Sequence, residues 1–155
     1  MQKVQGRMVR DIEQSQHFKF ITYSKWFKPF TEDKDHLSVY HLLRAKEIRT
    51  VAAFRMCGHQ LNIEAMRHRR VPRAERLCTL CGAGAVEDEL HVFECQAYAG
   101  LRLRFGFDTE DEWGDPDSYM RAIVNPGNVT SEWRRLASFL IAVFAHRESL
   151  IHPSA

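Results

Sequence analysis

The chain has 155 residues, of which 45% are hydrophobic and 27% charged, and its formal net charge is +2. That balance describes one folded body with its own core and excludes a disordered tail or two independent domains. The longest uncharged apolar run, Leu136 to Ala145, is too short to cross a bilayer, and Lys3, Arg7, Arg10, Asp11 and Glu13 leave no apolar stretch for a secretory leader, so an intracellular protein (nucleus or cytoplasm) is expected.

In chain order, Val4, Met8, Val9 and Ile12 are spaced for a short helix within residues 2–17. An aromatic segment follows, with Phe18, Phe20, Tyr23, Trp26, Phe27 and Phe30 interrupted by Pro29, and reads as an irregular anchor packed on the core. Residues 1–36 therefore form an N-terminal helix and anchor, and residues 37–155 the main helical domain. From Leu37 to Met56, apolar residues recur every three or four positions without proline or glycine, which predicts a helix stopped at Gly58. Leu61, Ile63 and Met66 alternate with polar residues and read as a short strand or extended segment. Leu90, Phe93, Ala97, Leu101 and Phe105 trace one face of a second helix ended by Gly106. Asp115-Pro116-Asp117 reads as a linker turn before a short helical stretch at Tyr119 to Val124. Thr130 is placed to cap a last helix, Ser131 to Leu150, with a wide apolar stripe. The fold class is mainly α, with at most a short strand or hairpin.

Charge is unevenly placed. Residues 44–76 hold nine Lys or Arg against three acids, and residues 77–118 hold two against ten. Such blocks either complement each other inside one fold or face different partners.

Four cysteines in an intracellular chain point to free or metal-bound thiols rather than disulfides. Cys78, Cys81, His91 and Cys95 form the pattern C-x2-C-x9-H-x3-C. Zinc takes four tetrahedral ligands and accepts thiolate and imidazole, so two close ligand pairs let a short segment surround it. Gly82 and Gly84 let the backbone fold back behind the first pair, and a spacing of four sets His91 and Cys95 one helical turn apart. A dithiol redox pair would need Cys-x-x-Cys at a helix start, for which Gly82-Ala83-Gly84 is a poor sequence. The other alternative is four unrelated buried residues. Cys57 reads as a small packed residue and His59 as a buried, hydrogen-bonded one. Arg67, Arg69, Arg70 and Arg73 lead into the metal turn and are candidate phosphate donors, unless some of them pair with Glu87, Asp88 and Glu89.

At Phe54-Arg55-Met56-Cys57-Gly58-His59, Pro72-Arg73, Arg76-Leu77-Cys78-Thr79-Leu80-Cys81, Val86-Glu87-Asp88-Glu89-Leu90-His91 and Phe93-Glu94-Cys95-Gln96-Ala97-Tyr98, the sequence resembles the CCHC zinc-binding C-terminal region of non-LTR retrotransposon reverse transcriptases. With Phe139 to Arg147, which is similar to that family's closing helix, the resemblance spans about residues 18–150. It implies zinc held by Cys78, Cys81, His91 and Cys95, and an accessory role in holding RNA or DNA, with the polymerase core as a further partner. The family more often has four residues between the histidine and the last cysteine, and often a proline after it; here there are three, and Gln96 follows. No hydrophobic hairpin with adjacent aspartates is present for polymerase chemistry, so the expectation is a non-catalytic piece, and the alternative is a zinc-stabilised protein-interaction domain.

Overall fold

The computed structural model describes residues 25–26, 40–107, 114–127 and 129–153. The helix expected within residues 2–17 and most of the aromatic anchor lie outside these residues. Trp26, which is described, is 2% exposed; its indole N–H donates to Asp117 Oδ1 at 3.0 Å, and its carbonyl accepts from Asn125 Nδ2 at 2.8 Å.

Six α-helices order the described residues: α1 Ala45–Arg55, α2 Asn62–Ala65, α3 His91–Glu94, α4 Ala99–Phe105, α5 Pro116–Val124 and α6 Thr130–Ile151. The architecture is mainly helical. Its one β feature among the described residues is an antiparallel bridge between Leu77 and Val86, so the hairpin allowed by the sequence is present at its minimum length.

The expected helix from Leu37 to Met56 is shorter. A 3-10 turn at Tyr40–Leu42 comes first, and α1 begins where Glu47 reaches back to accept the Arg44 backbone N–H at 2.7 Å. At its other end the left-handed residue is Cys57, at φ 52°, one position before the glycine expected to stop the helix. Gly58 N–H then returns to Ala53 O at 2.7 Å, closing a Schellman-type turn. Residues 62–65, read from alternation as extended, are helical. Their apolar and polar members are both buried, Ile63 at 0% and Glu64 at 6% exposure, so alternation there did not report a solvent face.

The long helix α6 carries the core. Trp133, Leu136, Ala137, Leu140 and Val143 are each at most 1% exposed and recur at helical spacing, facing α1 through Val51 and Phe54. Burying each large side chain contributes about 1.5 to 3 kcal/mol. Thr130 is the first helical residue rather than the cap, which is Val129 and makes no side-chain bond. Asp115 is the cap that does work as one: its carboxylate accepts Ser118 N–H at 2.9 Å, with Pro116 at the first helical position, so the supposed linker turn is the start of α5. Arg55, at the end of α1, donates to Val124 O at 2.7 Å and so occupies a free carbonyl at the end of α5.

Candidate metal centre

The site is built on two small devices. In the first, Cys78 N–H bonds to Ala85 O at 2.8 Å and Glu87 N–H to Arg76 O at 2.9 Å, so the chain leaves and returns as a hairpin with Cys78 and Cys81 in its loop. The loop closes through Gly82 and Gly84, both left-handed at φ 66° and 68°. Nothing lies within 4 Å of a Cβ built on either, so conformation rather than space calls for glycine.

The second device is the single turn α3. The sequence predicted one helix from Leu90 to Phe105, but Cys95 is extended at ψ 127° and divides it; a 3-10 turn, Gln96–Tyr98, and then α4 follow. The offset that matters survives, because Cys95 N–H still bonds to His91 O at 2.7 Å. His91 and Cys95 therefore present their ligand atoms together, while Val92 and Phe93 between them enter the core. Phe93 meets Phe139 at 5.2 Å, Phe107 at 5.6 Å and Tyr119 at 6.0 Å between ring centroids, so the turn is pinned from behind by aromatic packing.

Cys78, Cys81, His91 and Cys95 are thereby assembled with all four ligand atoms within 4.8 Å of one another, and together they could hold a metal ion. Cys78 Sγ and Cys95 Sγ lie 3.9 Å apart, and Cys81 Sγ and His91 Nε2 3.4 Å. A tetrahedral ion with metal–sulfur bonds of about 2.3 Å and metal–nitrogen bonds of about 2.0 Å sets those edges at about 3.8 and 3.5 Å, so the donors stand at coordination spacing. Cys57, buried elsewhere, is not in the group.

Protonation in the metal-free site follows burial. Burial pushes the Cys95 thiol up to about 12 and raises Cys78, whereas hydrogen bonding to the backbone at Ala83 lowers Cys81. Burial lowers His91, which favours the neutral imidazole that a metal requires. Asp88 accepts His91 N–H at 3.0 Å, and burial holds its carboxyl above the usual range.

Comparison with protein-family models, curated proteins and solved structures gives no match.

Behind the hairpin lies a layer of buried charge that the sequence reading assigned differently. Glu87, 1% exposed, receives Arg147 Nε and Nη2 at 2.9 and 2.8 Å and Asn62 N–H at 2.7 Å. Asn62 Nδ2 donates to Leu77 O at 2.7 Å, so the hairpin, α2 and α6 share one network. Glu89 accepts from His59 Nε2 at 2.9 Å, which gives His59 the buried, hydrogen-bonded place expected of it. The cation partner of Glu87 thus comes from α6, 60 positions later, and not from the arginine run before the metal turn. A signal was present: Arg147 falls in register with the apolar stripe of α6, where a charge requires a buried partner.

The four candidate phosphate donors are placed unequally. Arg69 and Arg70 are exposed on a 3-10 turn, with Arg70 left-handed at φ 58°. Arg67 is tied to Glu64 at 2.8 Å, and Arg73 stands 4.0 Å from Asp88. Arg76, the last of the run, is buried and donates to Val71 O and Ile63 O at 2.9 and 2.7 Å. It is a strut of the fold. No helix among the described residues is long and apolar enough to cross a membrane.

Proposed function

We propose that the metal is zinc and that the chain is a non-catalytic accessory module of a non-LTR retrotransposon reverse transcriptase, holding RNA or DNA phosphate on the turn at residues 67–73. Three thiolates and one imidazole at tetrahedral spacing favour zinc, and four protein ligands leave no open position for a bound water to react. The observation that supports nucleic-acid binding most is the exposed pair Arg69 and Arg70, on a turn braced by buried Arg76 on one side and by Glu64 on the other. Guanidinium groups on a fixed turn suit phosphate oxygens and read no base, so sequence preference is weak.

The test changes Arg69, Arg70 and Arg73 together to alanine and titrates single-stranded RNA and duplex DNA across salt concentrations, with metal content measured alongside. Affinity should fall for both, and the log-log salt slope should shrink by somewhat less than one for each phosphate that is no longer neutralised. Unchanged affinity and slope with the metal retained would discard this reading. The second reading, a zinc-stabilised protein-interaction domain, would then stand; it is favoured by Arg67 and Arg76, whose partners are internal.

A further inference from the structure

Between α1 and α6 lies a cleft of about 270 Å³, lined by Arg49, Ala53, His59, Gln60 and Phe144 among others. Ligand pockets for drug-sized molecules run from about 300 Å³ upward, so this one is scaled to a smaller planar group. Phe144, only partly buried, forms one wall and is nearly parallel to the His59 ring, at 19° and 6.3 Å between centroids. His59 is fixed by Glu89 through Nε2, and its Nδ1 is covered without a partner among the described residues. Recognition therefore falls to the accessible groups: the partly buried Phe144 ring, the exposed Gln60 amide and the exposed Arg49 guanidinium.

A second, smaller cleft of about 190 Å³ shares His59 and Gln60 with the first and is lined further on by His68 and by Arg67 with its partner Glu64. The two clefts therefore adjoin at His59 and Gln60, with Arg67 of the arginine turn lining the second. Glu148 also lines the first cleft and disfavours a phosphate beside it, whereas Arg49 favours one.

We infer that the α1–α6 cleft accepts one unstacked nucleobase of a single strand, stacked on Phe144, while the strand's phosphates run past Gln60 to the arginine turn. The inference rests on the nucleic-acid reading above and adds a site that distinguishes single strands from duplexes, because a paired and stacked base cannot enter. Base–aromatic stacking tolerates any base, so the site selects for strandedness and not for sequence.

The experiment uses the full chain with its metal bound. The probes are a short single strand carrying a fluorescent adenine analogue and the same strand annealed to its complement. The variants are Phe144→Leu, which keeps an apolar wall, and Gln60→Ala and Arg49→Ala at exposed positions; metal content and thermal unfolding are checked for each. Phe144→Leu should weaken single-strand binding about tenfold and abolish quenching of the analogue, with duplex affinity unchanged. Gln60→Ala and Arg49→Ala should give smaller losses, again confined to the single strand, and they carry the test if Phe144→Leu fails to fold. Single-strand affinity and quenching unchanged in all folded variants, or losses equal for both probes, would overturn the cleft while leaving the arginine turn standing. Wild-type protein that binds neither probe would overturn both.

Discussion

Residues 76–98 and the α1–α6 helix pair are both buried, yet they are held by different forces. In the pair, Val51, Phe54, Leu136, Leu140 and Val143 are buried and apolar, with the Arg55 cation packed across it over the Trp133 ring at 5.3 Å, and α6 has the spacing to form this face by itself. In residues 76–98, alongside Val92 and Phe93, the buried groups include two carboxylates, a histidine and two thiols, and the hairpin has a single bridge. Apolar contact gives a face that tolerates exchange of similar side chains. Directional bonds give a shape that depends on each partner. The metal lobe should therefore fail at single points, and the helix pair should weaken gradually.

Metal removal is expected to have the largest effect. Structural zinc in small peptides is associated with about 10 to 16 kcal/mol of binding free energy, which is also folding free energy. Chelation, or Cys95→Ser, should abolish hydrogen-exchange protection across residues 76–98 while α1 and the middle of α6 retain theirs. Cys57→Ser should keep the metal. Protection that persists in the hairpin after metal loss would erase the distinction between the two regions.

Next comes the buried ion pair that joins them. Removing one partner of such a pair costs about 3 to 5 kcal/mol, because the other charge is left without compensation. Glu87→Gln and Arg147→Met should each destabilise by this order in denaturant unfolding, and the double variant should recover a large part of the loss. Strict additivity would show that the two residues act independently. Leu140→Ala, by comparison, should cost about 2 to 5 kcal/mol without altering metal affinity.

Acid should act on the metal lobe first. Because burial raises Cys78 and Cys95 in the metal-free site, both thiols are protonated near neutral pH, and metal binding must release those protons. Affinity therefore falls as pH falls. His91, lowered by burial, stays neutral there and competes for protons only in more acid solution, steepening the loss. A chelator-competition series across pH checks the sign; affinity that is flat or rises on acidification would contradict the ligand set.

The same contrast explains what the sequence made legible. Helical periodicity located α1 and α6, because each buries one regular face, and ligand chemistry located Cys78, Cys81, His91 and Cys95, because close donor spacing is local. Periodicity failed at Leu61 to Met66 and at Cys95. In the first, polar residues are buried by partners distant in sequence, such as the Asn62 N–H bonded to Glu87. In the second, one extended residue divides a helix whose apolar pattern runs on. Glu87, Asp88 and Glu89 looked like one acidic run facing the arginines, but they take separate partners in Arg147, Arg73 and His59. Pairings that depend on tertiary packing leave only an oblique trace, such as an arginine in an apolar stripe.

The smallest expected effect compares two glycines with nearly the same backbone. Gly84 in the metal loop has φ 68°, and Gly106 at the end of α4 has φ 73°. A side chain in the left-handed region costs about 1 to 2 kcal/mol, so Gly84→Ala and Gly106→Ala carry similar conformational strain. Space adds little at either: nothing lies within 4 Å of the Gly84 position, and the Gly106 position meets only the far end of the Arg135 side chain at 3.3 Å. The strain should nevertheless be read out differently. In the loop it opposes the hairpin that brings Cys81 toward His91, so metal affinity should fall by a factor of about 5 to 30, with little change in the unfolding of the helix pair. At Gly106 it opposes the turn in which Phe107 N–H returns to Arg102 O at 2.9 Å and Phe107 enters the aromatic cluster around Phe139. There the unfolding midpoint should drop while metal affinity holds. Measuring both quantities on both variants gives four values, and the comparison predicts which two move. If each variant lowers both equally, the metal lobe and the helices unfold as one unit, and the division drawn from their bonding is wrong.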